Sequence, residues 1–151
     1  MRLLIPEVFQ KADTAKTKEE KIKILRDNDS QPLRAMLYLN FNPDTKWNLP
    51  DGEPPFKKER EVPAGLSETT LYRETRRLYI WTQETNLPKS KREKLFIELL
   101  EGVHWTEAEM LCAVKDKRLH KMYKSLKEPL VRETFPGLLP APVKEEKVPL
   151  E

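Results

Sequence analysis

Three times this chain places Thr or Ser three residues ahead of Glu, directly before apolar residues at helical spacing, and this arrangement restricts its fold more than any other feature. In such a capping box the hydroxyl accepts an orphan backbone N–H while the carboxylate returns to the cap residue, so each box starts a helix. Thr17-Lys18-Glu19-Glu20 precedes Ile22 and Leu25, Ser90-Lys91-Arg92-Glu93 precedes Phe96, Leu99, Leu100 and Val103, and Thr106-Glu107-Ala108-Glu109 precedes Met110, Leu111 and Val114. Between the boxes the same periodicity continues. Leu4, Val8 and Ala12 form one stripe over about residues 3–12, with Pro6 tolerable in the opening turn. Leu33, Met36, Leu37 and Phe41 follow Pro32 at i, i+3, i+4 and i+8. Ser67 is placed to cap a further helix that carries Leu71, Thr75, Leu78, Tyr79 and Thr82 on one face and ends at Asn86-Leu87-Pro88. Gly102 suits the C-terminal cap of the helix begun at Ser90. Leu119, Met122, Tyr123 and Leu126 make another stripe, and a short helix from Pro129 to Thr134 closes the series. Strand-like alternation is nearly absent.

The expected architecture is therefore all-α: a single compact bundle of about six to eight short helices over residues 1–140, interrupted by one long Pro-rich loop at 42–66. In that loop Pro43, Pro50, Pro54, Pro55 and Pro63 stand close together with Gly52 and Gly65, and proline cannot continue a helix interior. Two readings are open for it. Long loops of this kind often carry function, and Trp47, Leu49 and Phe56 can equally pin the segment to the core. Residues 141–151 read as a flexible tail, rich in Pro and charge with little to bury.

A chain of 151 residues suits one domain. Its 38% hydrophobic and 35% charged residues describe a folded protein with a heavily charged surface. One cysteine, Cys112, excludes an internal disulfide and favours a reducing compartment. Leu3-Leu4-Ile5 is too short for a signal-peptide core, and no stretch approaches the roughly 20 apolar residues of a membrane span. The expected location is the cytoplasm, with no membrane partner.

Catalytic chemistry finds few candidates. A nucleophilic site needs Cys or Ser beside a held His, and only Cys112, His104 and His120 are at hand. Cys112 lies next to Leu111 and Val114, as a small buried residue does. His104, before Trp105, fits a packed turn between helices. One Cys and two His lack paired ligand spacing for a metal, and four unclustered glycines make no phosphate-cradling loop. Glu107 and Glu109 point to different sides of a helix and are better assigned to capping and the helix dipole. The expectation is a non-enzymatic protein with no catalytic residues, metal or cofactor.

The net charge of +3 is small but unevenly spread. Between residues 115 and 127, six cations (Lys115, Lys117, Arg118, Lys121, Lys124 and Lys127) stand against Asp116 alone. On a helix, Lys117, Lys121 and Lys124 would share a face able to neutralise phosphates, and a merely solvated helix face would look the same. Arg73, Arg76 and Arg77 make a second basic patch.

The run Leu130-Val131-Arg132-Glu133-Thr134-Phe135-Pro136-Gly137-Leu138-Leu139-Pro140 resembles the junction where the N-terminal DNA-binding domain of T-even-type phage ATP-dependent DNA ligases meets its catalytic domain. The order of the opening helices is also similar, from Leu4–Ala12 through Thr17–Arg26 to the segment ending near Phe41, while motif-level similarity is confined to Phe135–Pro140. The whole chain also resembles a small protein family of T-even-like phages, which supplies no function. The ligase resemblance implies a DNA-binding-domain-like bundle that grips duplex DNA without chemistry, standing alone in a host cytoplasm. The adenylation motif of ligases, Lys two residues before Asp-Gly, is missing, because Leu49 holds that place before Asp51-Gly52. The ligase pattern has a Gly-containing contact loop before its final helix, whereas Lys117–Lys127 contains no glycine. The leading expectation is a domain that contacts duplex DNA mainly through phosphates, without strong sequence preference, using Lys117, Arg118, Lys121, Lys124, Lys127, Arg73, Arg76 and Arg77. The alternative is an adaptor that docks on a phage or host replication or repair protein through the 42–66 loop or the C-terminal tail.

Overall fold

The apolar stripes close into one core, seen in a computed structural model that describes residues 2–141. Apart from Ala141, the tail expected at 141–151 lies outside the described residues. The described residues form nine α-helices and one 3-10 turn with no strand: α1 (Ile5–Thr14), α2 (Lys18–Asp27), α3 (Gln31–Phe41), α4 (Leu71–Glu74), a 3-10 turn (Thr75–Arg77), α5 (Tyr79–Thr82), α6 (Lys89–Gly102), α7 (Trp105–Lys115), α8 (Leu119–Met122) and α9 (Glu128–Thr134). The architecture is the all-α bundle expected. The helix total exceeds six to eight because one expected helix, from Ser67, is divided.

α7 is the centre. Ala108, Met110, Leu111, Cys112 and Val114 are buried around nearly its whole circumference, so it must be enclosed on all sides. α1, α3, α6 and α8 pack against it. α1 turns Ile5, Val8, Phe9 and Ala12 inward, at i, i+3, i+4 and i+7. α2 fully buries only Leu25, packs Ile22 and Ile24 partly buried against the core, and adds polar contacts. Lys21 Nζ donates to the carbonyls of Ala12, Asp13 and Ala15 at 3.1, 2.9 and 2.6 Å, closing the end of α1. Arg26 donates to the Thr134 and Glu133 carbonyls at the end of α9, both at 3.1 Å.

Of the three capping boxes, the first is half made: Thr17 Oγ1 accepts the Glu20 N–H at 3.1 Å, while the Glu20 carboxylate accepts the Lys16 N–H at 3.4 Å rather than that of Thr17. The other two are displaced. α6 begins two residues earlier than the Ser90 box allows, with Pro88 as the cap residue and the Pro88 carbonyl accepting the Arg92 N–H, so Ser90 sits inside the first turn. α7 begins at Trp105 rather than after Thr106, because the ring of buried His104 supplies the cap: its Nδ1 accepts the Thr106 N–H at 3.3 Å. His104 does occupy a packed turn between helices, as expected. Thr17→Ala is accordingly expected to cost about 1 kcal/mol in thermal or urea unfolding, and Ser90→Ala to stay within about 0.5 kcal/mol of wild type.

The helix expected from Ser67 starts at Leu71, with Thr70 in the cap position, and is broken at Thr75–Arg77. Thr75 and Thr82 return their hydroxyls to the carbonyls four residues back, Leu71 and Leu78, a local bond that bends helices. The break leaves Leu78 and Trp81 inside and turns Tyr79 outward, 53% exposed, against the single face expected for these residues. It ends at Thr82, ahead of Asn86-Leu87-Pro88. Gly102 is the last helical residue rather than a left-handed cap. Its carbonyl accepts the Thr69 N–H at 3.0 Å, which ties the end of α6 to the chain before α4, and a Cβ there would meet Thr69 Cγ2 at 3.4 Å, an ordinary contact.

That loop is pinned. Trp47, Leu49 and Phe56 pack on the core, with Trp47 edge-on to Phe96 at 6.3 Å. Polar anchors follow along its length: Asn48 N–H to the Trp81 carbonyl at 2.7 Å, Lys115 Nζ to the Pro50 carbonyl at 2.7 Å, Lys57 N–H to Glu101 at 2.8 Å, and His104 Nε2 beside the Val62 carbonyl at 2.9 Å. The proline-rich backbone makes only local turn bonds within itself, such as Thr45 N–H to the Asn42 carbonyl, so helix side chains and carbonyls take up other polar groups along it.

Candidate nucleic-acid interface

The stretch 115–127 is not one helix. α7 ends at Lys115, and Lys117 adopts a left-handed conformation, φ 56°. The Lys117 N–H donates to the Val114 carbonyl and the Arg118 N–H to the Ala113 carbonyl, which together make the helix-ending motif usually completed by glycine. The basic residues cannot therefore lie on a continuous helical face, and Lys117 is the residue most affected. Its Nζ donates to the Asn42 carbonyl at 2.7 Å, and burial pushes its pKa down. Lys117 is a clasp between the end of α3 and the start of α8. Lys115 is likewise turned inward, its ammonium between the Pro50 carbonyl and Asp116.

The remaining cations form a regular pattern. From 118 to 127 the chain is anchored by buried Leu119, Tyr123 and Leu126, while Arg118, Lys121, Lys124 and Lys127 are exposed between the anchors. Met122, placed on the apolar stripe by its spacing, is 39% exposed, since α8 lasts one turn. The segment contains no acidic residue, and none of its four cations has an ion-pair partner among the described residues. Backbone bonds fix the segment at both ends: Asn40 Oδ1 accepts the Leu119 N–H at 3.0 Å, and Asp13 accepts the Ser125 N–H at 2.7 Å. The four charges are thus displayed on a fixed support.

Of the second patch, Arg77 is bound to Glu74 at 2.7 Å, while Arg73 and Arg76 are exposed and unpaired among the described residues. Both line an open groove of about 610 Å³ between α3 and the α4–α5 segment, together with Tyr38 and Tyr79. Sequence reasoning placed Tyr79 with the core. The hydroxyls of Thr75 and Thr82, four residues after Leu71 and Leu78, are the signal for the kink that exposes it.

Of the titratable groups considered for catalysis, Cys112, His104 and Glu107 are buried, while His120 and Glu109 are partly exposed. Cys112 is buried, and that burial pushes its thiol up to about 12. Glu107 is fully buried: one carboxylate oxygen accepts the Leu71 N–H at 2.9 Å, the other has no partner, and burial pushes the carboxyl up to about 7. Its partner Leu71 begins α4, so this carboxylate fixes the end of the long loop to α7. Glu109 receives Lys58 and Arg60 from the same loop at 3.1 and 3.3 Å. Among the described residues no group of three or more His, Cys, Asp or Glu is placed to hold a metal, and no helix is long and apolar enough to cross a membrane.

Residues 8–121 match the family described as a family of unknown function, DUF6433. No curated protein matches the chain. The matched span covers most of the 151 residues, and the chain belongs to that family.

Proposed function

We propose that this member of DUF6433 is a non-catalytic DNA-binding protein that holds duplex DNA by its phosphates. One observation carries the reading: Arg118, Lys121, Lys124 and Lys127 are displayed with no ion-pair partner among the described residues and no carboxylate between them in sequence, in a chain that contains 25 acidic residues, while Asp13, which touches the segment, is engaged by the Ser125 N–H. A surface kept merely soluble intersperses both signs of charge, whereas a one-signed, fixed display attracts a polyanion. Contacts of this type position the duplex and leave its sequence unread. The similarity of Phe135–Pro140 to the ligase junction supports the same reading, and Lys117 is left out of the contact set because its ammonium is spent on Asn42. The cytoplasm is the proposed location.

Fluorescence anisotropy with a labelled blunt duplex, repeated across salt concentrations, tests it. Each phosphate neutralised contributes about 0.9 to the slope of log affinity against log salt, so four contacts predict a slope near about −3.6. Absence of binding at low salt removes the proposal. A slope near zero removes phosphate contact as its basis.

A further inference from the structure

We propose that the groove between α3 and the α4–α5 segment holds an unpaired nucleic-acid strand, with bases stacked on Tyr79 and Tyr38 and phosphates on Arg73 and Arg76. The inference rests on the chain being a nucleic-acid binder but uses residues separate from the 118–127 segment. The groove measures about 610 Å³, within the roughly 300–1,000 Å³ that encloses a drug-sized ligand, which suits a splayed nucleotide. No acidic residue lines it. Glu74, the neighbouring carboxylate, pairs with Arg77 and accepts the Thr69 hydroxyl; it feels the charge of Arg73 but forms no ion pair with Arg73 or Arg76.

The two tyrosines are the second half of the argument. Tyr79 and Tyr38 are 53% and 37% exposed, two of the four large hydrophobics exposed in the described residues, and both line this one groove. Aromatic faces beside unpaired guanidinium groups are the combination that holds single strands, because every base offers a face to stack on and every nucleotide a phosphate. The 3-10 break at Thr75–Arg77 is what turns Tyr79 toward the groove, so the bend in the helix and the binding chemistry are one feature.

The test uses the intact protein, a labelled oligothymidylate and a blunt duplex. Tyr79→Ala is expected to weaken oligothymidylate binding about tenfold or more, Tyr79→Trp to retain it, and Arg73→Ala with Arg76→Ala to reduce the salt slope by about 1.4. Blunt-duplex affinity should stay unchanged in all three variants. Tyr79 is half exposed, and an unchanged melting curve shows that the variants remain folded. Oligothymidylate binding insensitive to Tyr79→Ala overturns the proposal, as does an equal loss on the blunt duplex. If the duplex binds and the oligonucleotide does not, this inference falls and the duplex reading stands; if neither binds, both fall.

Discussion

Glu107→Gln is expected to melt at a higher temperature than the wild-type protein at pH 8, with the difference shrinking toward pH 5. Glu107 is fully buried on α7, and burial lifts its carboxyl from an ordinary value of 4.5 to about 7. The folded protein therefore holds a proton that the unfolded chain has already released between these two values. In that window the unfolded state binds fewer protons, so stability falls as pH rises, and the loss is complete above about pH 7. At about 1.4 kcal/mol for each unit, the displacement amounts to about 3 kcal/mol. For a chain of this size that is on the order of 10 °C in melting temperature. The amide retains the oxygen that accepts the Leu71 N–H and cannot ionise, so the variant escapes the loss. Comparing the pair at each pH cancels the other titrating groups, and a difference that does not widen between pH 5 and pH 8 contradicts the account of this carboxylate.

Glu107 also shows where sequence reasoning stops. Its place in a capping motif hid a tertiary role, because nothing local says that the start of α4, 36 residues back, brings a backbone N–H to it. The all-α class and the positions of the stripes in α1, α3 and α6 were legible, since periodicity is a property of short windows; for the loop, Trp47, Leu49 and Phe56 were legible as anchors, but the choice between a pinned and a free loop was left to tertiary contacts. Cap positions were less so. Thr17 caps α2 as its box predicts, but Ser90 and Thr106 lost to Pro88 and His104, where proline geometry and a buried ring outweigh a hydroxyl.

The same limit applies to the basic residues. Charge counting brought Lys117, Arg118, Lys121, Lys124 and Lys127 together, but spacing alone could not show that Lys117 would take a left-handed conformation and spend its ammonium on the Asn42 carbonyl. Nor could it separate Arg77, paired with Glu74, from Arg73 and Arg76. Which cations remain available is decided by tertiary contacts.

The central claim is that the exposed cations between 118 and 127 hold duplex DNA, and reversing them together tests it most directly. Arg118→Glu, Lys121→Glu and Lys124→Glu in one chain replace three attractive charges by three repulsive ones on a segment whose buried anchors, Leu119, Tyr123 and Leu126, are untouched. Surface changes away from packed or paired groups shift stability by about 0.5 kcal/mol or less each, so the melting curve should stay close to wild type. The expected result in blunt-duplex anisotropy at low salt is a loss of affinity of at least about 100-fold, because three phosphate contacts and their counterion release are removed. A folded variant that binds duplex DNA as tightly as the wild-type protein would contradict the account.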